Sequence, residues 1–326
     1  MPSDKVENIV IGLSDSNQRL DKWLLSHYPN LNNSMVQKLI RTKQVKVDGK
    51  GVAHNYVLQV GQSVRIPVYF ISQIETSKKP KKAVDTAKYQ KEIVSLVDSV
   101  IYKDDNLLIL NKPAGIAVQG GSGVDFHVSV ALPFLRFELD SNPLIVHRID
   151  KDTSGILILA RHKLMAQYMF HMFKEKQISK TYVCLTHPFI LKKYQNMGFE
   201  GVISAPLLKE GDGVSISENG KEAVSLYKVL DYNGDIALME VSPQTGRTHQ
   251  IRVHMSEYLG NPIVGDFKYG AKPLKEKGIN YRRMYLHAKS VEFISIDDEQ
   301  ISVEAPLDED FVDTLNKLNL KRSEPL

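Results

Sequence analysis

The chain has 326 residues, of which 42% are hydrophobic and 25% charged, so it is long enough for two or three domains with sizeable cores. No apolar run approaches the roughly 20 residues that span a bilayer, and the first residues lack the basic and apolar regions of a signal peptide. A single cysteine, Cys184, excludes an internal disulfide, and these features together predict a protein of the reducing cytoplasm.

The positive charge is concentrated near the N-terminus. The whole chain has a net charge of +4, yet residues 1–82 contain 13 lysines and arginines against 6 acidic residues, a net +7, which leaves −3 for the remainder. Because phosphate neutralisation is the main source of affinity for nucleic acid, this asymmetry favours a polyanion-binding appendage on a neutral body. A merely solvated basic domain is equally compatible with the charge alone.

Residues 1–71 are predicted to form a small domain in which two helices are followed by strands. Leu20, Trp23 and Leu24 lie at helical spacing, and a second apolar stripe follows the candidate N-cap Ser34. Strand-like alternation comes after the second helix, so we expect a compact α/β unit.

The second predicted helix and the strand after it present basic side chains. Lys38 and Arg41 lie on the polar side of that helix. The segment QVKVDGK then alternates as a strand that ends in a turn at Asp48-Gly49. The basic groups are therefore expected to cluster on one small surface.

Residues 72–92 are predicted to be a flexible linker. They are polar, rich in lysine and nearly free of large apolar side chains, so little in them could be buried. A larger second domain is expected over residues 93–326.

The second domain shows a strand-rich pattern with interspersed helices. Residues 106–115 predict a strand that ends in a Pro-Ala-Gly turn, and residues 163–177 predict an amphipathic helix. Residues 222–241 predict a hairpin that turns at Asn233-Gly234. The expected fold class is α+β, with a mixed, largely antiparallel sheet and flanking helices.

One segment, IVHRIDKDTSGILILA, places charged and hydroxyl side chains between two apolar runs at residues 145–160. Such a polar loop between two strands predicts a functional site. The glycine-rich residues 119–123 lack the lysine of a nucleotide phosphate loop, and the histidines lack the spacing of a metal site. We therefore expect neither a cofactor nor a metal.

Several segments carry a family resemblance. VHRIDKDTSGILILA resembles the central motif of the RluA family of pseudouridine synthases. Further segments agree in order and approximate spacing, and they are LNKPAGIAVQGG, KTYVCL, SPQTGRTHQIRVHM and LHAKSVEF. The resemblance covers nearly all of residues 100–307, and residues 19–67 resemble a small RNA-binding domain found in a small-subunit ribosomal protein.

The resemblance implies an RNA pseudouridine synthase without cofactor or metal, most similar to the type that modifies large-subunit ribosomal RNA. The expected partner is that RNA or its precursor particle. The protein is expected to be a monomer and not to bind a membrane. One alternative is a synthase that acts on transfer RNA. Another is a noncatalytic RNA-binding factor of ribosome assembly, which we would expect to have lost Asp150, Arg247 or Tyr182; all three are present.

The same resemblance assigns catalytic roles to three residues. Asp150 corresponds to the catalytic carboxylate, which acts either as a nucleophile on the ribose or base or as a proton acceptor at the ribose. A carboxylate in a partly dehydrated pocket needs a nearby cation to stay ionised, and by resemblance Arg247 supplies it. Tyr182 corresponds to the tyrosine that stacks on the target base.

Other residues are expected to contact RNA. A stacked uridine must be flipped out of its helix to reach the carboxylate, so Arg148 is a candidate for filling the vacated space, and His147 lies next to it. In the N-terminal domain we expect contacts from Lys38, Arg41 and Lys43. Lys43 stands where the related domain usually has glycine, which predicts either a left-handed backbone at a cost of about 1 kcal/mol or a different helix end.

Overall fold

The computed structural model describes residues 6–12, 15–28, 31, 33–67, 86–121, 124–274 and 283–321. The chain divides into two compact units, Met1–Ala83 and Val84–Leu326. Within the described ranges no helix has both the length and the apolar character that crossing a membrane requires.

The N-terminal unit combines a small antiparallel sheet with two helices, and the predicted helices and following strands are preceded by one further strand. Its elements are β1 (Val6–Val10), α1 (Leu20–His27), α2 (Asn33–Arg41), β2 (Lys46–Val47) and β3 (Ser63–Pro67), with the strand order β1-β3-β2. The apolar stripes of both helices are buried around Trp23, which is fully inaccessible. The prediction of Ser34 as N-cap is wrong, because α2 already includes Asn33.

Two tight turns shape the basic end of this unit. Lys43 has a φ of 54°, so the left-handed backbone expected at this position is present, and the amides of Gln44 and Val45 donate to the Leu39 carbonyl. Asp48-Gly49 forms the predicted turn, with φ values of 48° and 76°. Lys38, Arg41 and Lys43 are all exposed.

The second unit is built on one large sheet, with a separate two-stranded sheet. Its strands are β4 (Val100–Lys103), β5 (Leu107–Lys112), β6 (Leu144–Ile145), β7 (Ser154–Ala160), β8 (Ser179–Thr186), β9 (Glu200–Ser204), β10 (Leu207–Glu210), β11 (Gly213–Ile216), β12 (Val224–Asn233), β13 (Ile236–Pro243), β14 (Leu286–Ile294) and β15 (Gln300–Glu304). The large sheet has the order β4-β5-β7-β14-β8-β13-β12-β9, with β6 beside β7 and β15 beside β14; β10 pairs with β11. Strand β14 runs parallel to β7, whereas the other strand pairs within the described ranges are antiparallel. The predicted mixed, largely antiparallel α+β fold is confirmed.

Helices flank this sheet. They are α3 (Gln90–Asp98), α4 (Val128–Ala131), α5 (Lys163–Lys174), α6 (Leu191–Met197), α7 (Gln250–Val253) and α8 (Glu309–Lys317). A π-helical turn, His254–Tyr258, continues α7, and short 3-10 turns occupy Thr86–Tyr89, Leu132–Leu135 and Phe267–Tyr269. The amphipathic helix predicted over 163–177 is confirmed as α5, and the hairpin predicted at Asn233-Gly234 joins β12 to β13.

The predicted linker extends too far toward the C-terminus. Residues 72–85 lie outside the described residues, but a 3-10 turn starts at Thr86 and α3 starts at Gln90, before the expected domain start at residue 93. The Tyr89 ring stacks on Phe126 at 5.0 Å between centroids. This aromatic contact anchors residues that the polar composition alone assigns to the linker.

Strand β7 lies between two apolar layers, and all seven of its residues are buried. Alternate side chains pack against α5 on one face and against α3 and α4 on the other. At its start Gly155 has a φ of 100°, and a Cβ there would lie 2.2 Å from the Ala288 carbonyl oxygen of β14. The absence of a side chain therefore lets the two parallel strands pair directly after the polar loop.

Candidate active site

The polar loop lies between β6 and β7 and is fixed at its base by a buried lysine. Lys112 has no exposed surface, and its Nζ donates to the carbonyl oxygens of Pro113 at 2.6 Å, Ile116 at 2.8 Å and Lys151 at 3.2 Å. Burial lowers the pKa of Lys112 to about 7. Because all three ammonium protons have acceptors, Lys112 ties the loop that carries Asp150 to the end of β5.

His147 is held from inside the protein. Its Nε2 accepts a hydrogen bond from the Ile158 amide at 2.8 Å, and its ring lies 4.7 Å from that of Phe173. Burial, reinforced by the nearby charge of Lys180, lowers the pKa of His147 to about 3, so the imidazole is neutral. These contacts give His147 a role in fixing the loop, and an RNA contact by this residue stays a prediction.

A cleft of about 740 Å³ opens beside this loop. It is lined by the loop, by the first half of β8, by the end of β13 and by α7. Asp150, Tyr182, Arg148 and Arg247 all line it, so the structure brings the predicted catalytic residues into one place. Among the described residues, no group of three or more histidine, cysteine or acidic side chains could hold a metal ion.

The cation that pairs with Asp150 is Arg252. Its Nη1 lies 3.0 Å from Asp150 Oδ2, while its Nε and Nη2 bind both carboxylate oxygens of the buried Asp266 at 2.7 and 2.8 Å. Burial opposes the charge of Arg252, but the hydrogen bonds to Asp266 and Asp150 outweigh it and raise the pKa of the guanidinium. Arg252 therefore stays charged and in a fixed orientation.

The prediction that Arg247 pairs with Asp150 is wrong. Arg247 is exposed at the edge of the cleft, and its Nε donates to the Glu222 carbonyl at 2.9 Å. His249 has a left-handed backbone, with φ at 53°, and α7 begins only after it. This change of direction separates the two arginines of the same motif and turns the later one inward, between the buried Ile251 and Val253.

Sequence reasoning missed two contributors to the site, Arg252 and His249. His249 places its Nε2 3.8 Å from Asp150 Oδ2, and its Nδ1 lies 2.6 Å from the Tyr269 hydroxyl. Burial lowers the pKa of His249, against the opposing effect of Asp150. The flanking apolar residues give a signal for Arg252, since a buried arginine needs an acidic partner. No local pattern indicates that Asp266 contacts Arg252 or that Tyr269 contacts His249.

Tyr182 projects from β8 into the cleft and is half-buried. Burial, together with the charge of Asp150, raises the pKa of Tyr182, so the phenol stays neutral. Its ring offers a flat apolar surface near the carboxylate. Arg148 is exposed at the opening of the same cleft, which is compatible with the predicted RNA contact.

Known proteins are similar to this chain in sequence and in fold. Residues 106–257 match the family model of RNA pseudouridylate synthase. The chain is 36% identical to ribosomal large subunit pseudouridine synthase C of Vibrio vulnificus and 34% identical to that of Escherichia coli K12, in each case over 98% of both chains. It also superposes on the solved human RNA pseudouridylate synthase domain containing 4 with a TM-score of 0.63 and 28% identity, over 73% of this chain and 100% of that one.

Fold, motif order and relatives together define an RNA pseudouridine synthase. Within this class the chain belongs to the RluA family, and its similarity to synthase C relatives extends over both units.

Proposed function

We propose that this protein isomerises uridine to pseudouridine at specific sites in large-subunit ribosomal RNA, with Asp150 as the catalytic carboxylate. The observation that carries the proposal is the ion pair of Asp150 with Arg252 inside the cleft. The chain also matches 98% of the length of relatives that are named ribosomal large subunit pseudouridine synthase C. A retired synthase would have no need to hold this carboxylate in a fixed orientation inside the cleft.

The reaction rearranges atoms without adding any. The N1–C1′ glycosidic bond breaks, the detached base turns, and a C5–C1′ bond forms; the C5 proton leaves and N1 takes up a proton. The Asp150 side chain is 24% exposed, so a nucleotide in the cleft can reach it. As nucleophile or as proton acceptor at the ribose, the carboxylate acts in its ionised form, and the hydrogen bond from Arg252 fixes its orientation.

The remaining residues of the cleft would hold the nucleotide. A uridine within a helix must leave its stack, at a cost of about a few kcal/mol, to reach a carboxylate inside the cleft. The Tyr182 ring would stack on the flipped base, and the exposed Arg148 would fill the space that the base leaves. Exposed Lys38, Arg41 and Lys43 of the N-terminal unit would bind phosphates of the same RNA.

The same proposal includes the partner, oligomeric state and location. The described residues that line the cleft all belong to the second unit, and the proposed acting form is a monomer. A ribosomal RNA substrate, or its precursor particle, would place the enzyme in the cytoplasm.

Incubation of the purified protein with unmodified large-subunit ribosomal RNA, and separately with transfer RNA, tests this proposal. We expect pseudouridine at a small number of fixed positions in the ribosomal RNA. Modification of transfer RNA alone would contradict the ribosomal target and support the transfer RNA alternative. Tight RNA binding without any pseudouridine would support the noncatalytic alternative.

A further inference from the structure

Lys180 is a lysine in the wall of the cleft. It is on β8, it lines the cleft together with Asp150 and Tyr182, and it is half-buried. Across the described ranges, no hydrogen bond or ion pair holds its ammonium group; a ring, that of Phe173, lies with its centroid 6.0 Å away. A cation in such a position is only partly compensated by water or protein.

The charges around it do not balance. Among the described residues that line the cleft, Asp150 is the only acid, and Arg252 already pairs with it. Arg148 and Arg247 line the same cleft and are exposed, so water can solvate them. Lys180 is the deeper of these cations, and the cleft as a whole therefore favours a negatively charged occupant beyond what Asp150 supplies.

The position of Lys180 along β8 relates it to the reacting nucleotide. Residues two apart on a strand point to the same face and lie roughly 7 Å from each other, so Lys180 and Tyr182 line the cleft side by side. With a base at Tyr182 and its ribose at Asp150, the sugar-phosphate backbone must continue along the cleft wall. A phosphodiester is the anion that an RNA substrate brings there.

We propose that Lys180 binds a phosphate next to the flipped uridine and so positions the ribose against Asp150. This inference rests on the proposed function, since it requires a nucleotide in the cleft. Lys180 acts here as a positioning residue, and it does not take part in bond making. Its role differs from that of the exposed lysines of the N-terminal unit, because it contacts the nucleotide that reacts.

The burial of Lys180 also separates binding from folding. Burial lowers the pKa of Lys180, which means that the empty protein gains little from its charge. A Lys180→Met substitution keeps the apolar stem and removes a poorly compensated cation. It should therefore leave the melting temperature unchanged or slightly higher, whereas a structural lysine would lower it on replacement.

Lys289 provides a matched control. It lies on the neighbouring strand β14, it is half-buried like Lys180, and its Nζ pairs with Glu304 at 3.8 Å. It does not line the cleft. Lys289→Met thus removes a lysine of similar burial from the same sheet without touching the proposed phosphate site.

The test uses the full-length protein and a ribosomal RNA fragment that contains the mapped uridine. Two further fragments each carry one neutral methylphosphonate, one in place of the phosphate on the 5′ side of that uridine and the other in place of the phosphate on its 3′ side. We expect Lys180→Met to weaken binding of the ordinary fragment by about tenfold or more, because one charge-assisted hydrogen bond to phosphate is removed. The slope of log affinity against log salt should flatten by roughly 0.7. Lys180→Arg should retain most of the affinity, and Lys289→Met all of it.

The fragments with a methylphosphonate identify the phosphate that Lys180 binds. At one of the two positions the methylphosphonate should weaken wild-type binding by the same factor, and it should not weaken Lys180→Met any further. Additive losses at both positions, or an unchanged salt slope for Lys180→Met, would overturn the inference. Wild-type turnover on the ordinary fragment is measured first, because its absence would contradict the proposed function and not the role of Lys180 alone.

Discussion

The Asp150 carboxylate lies 3.0 Å from the Arg252 guanidinium, and Arg252 in turn is held by Asp266. The side chain of Asp266 is only 1% exposed, so removal of the arginine would leave a buried charge unpaired. Truncating one partner of such a pair destabilises a protein by about 3–5 kcal/mol. The chemistry of the site therefore depends on which of the two arginines in one motif points inward.

Replacement of the two arginines tests that assignment. Arg252→Met should reduce the single-turnover rate by at least about a hundredfold, since Asp150 loses the guanidinium that fixes its orientation in the cleft. Arg252→Lys should restore only part of the rate, because a point charge cannot bind two carboxylates as a planar fork does. Arg247→Met, a change of the same kind on the exposed edge, should cost far less. If Arg247→Met were the more damaging variant under conditions where both stay folded, the ion pair described here would not be the catalytic one.

The neutral state of His147 predicts a pH dependence of stability. Its folded pKa of about 3 lies below the ordinary value of 6.5, so the unfolded chain binds more protons between these two pH values. The contribution of neutral His147 to the free energy of unfolding should therefore be complete above pH 6.5 and decrease as the pH falls toward 3. Urea unfolding at several pH values should show a flatter decline for His147→Gln, which cannot be protonated. Identical slopes for both proteins would contradict the internal role of His147.

At the level of elements, local patterns predict most of what the structure shows. Helix α5 and the β12–β13 hairpin follow from apolar periodicity and an Asn-Gly turn, which are properties of contiguous residues. Strand β1 is absent from the prediction, since only its first and fourth residues are half-buried and its sequence lacks clear alternation. The parallel pairing of β14 with β7 joins residues more than a hundred positions apart, and no local pattern encodes it.

The site shows the same division. The resemblance assigns Asp150 and Tyr182 to one active site, and in the structure both side chains line the same cleft. It assigns the cation to Arg247 instead of Arg252, because the correct choice depends on the left-handed residue His249 and on the start of α7. Asp266 enters through a tertiary contact, which only the assembled fold can reveal.

The contact between β7 and β14 can be tested by one methyl group. A Cβ on Gly155 would meet three backbone atoms of Ala288, the nearest at 2.2 Å, and the φ of 100° is unfavourable for any L-residue. Gly155→Ala should therefore destabilise the second unit by at least about 2 kcal/mol, because backbone must move to admit the methyl group. Gly121→Ala, which meets nothing within 4 Å, is the control for chemical unfolding. A Gly155→Ala protein as stable as this control would show that the strands do not approach each other so closely.

Charge and chemistry are divided between the two units. The net charge of +7 belongs to residues 1–82, whereas Asp150, Tyr182 and Arg252 lie in Val84–Leu326. Each unit has its own apolar core. The N-terminal unit is therefore expected to supply affinity and the second unit the reaction.

Removal of residues 1–83 separates these contributions. Binding to ribosomal RNA should weaken, and the slope of log affinity against log salt should flatten by roughly 0.7 to 0.9 for each phosphate that the shortened protein no longer neutralises. Single-turnover rates at saturating RNA should change much less than affinity. The measurement is a salt series of binding constants beside these rates for both proteins. An unchanged slope would show that the basic unit does not contact the substrate, and a folded but inactive truncation would show that it helps to build the active site.

The function of Asp150 is tested most directly by a map of pseudouridine across total RNA from cells with the protein, without it, and with Asp150→Asn in its place. Asparagine removes the charge but keeps the size and most hydrogen bonding of the side chain, so the variant should bind RNA nearly as well as the wild type. We predict that fixed positions in large-subunit ribosomal RNA lose pseudouridine without the protein, regain it with the wild type, and stay unmodified with Asp150→Asn. Restoration of those positions by Asp150→Asn would contradict the assignment of Asp150 as the catalytic carboxylate.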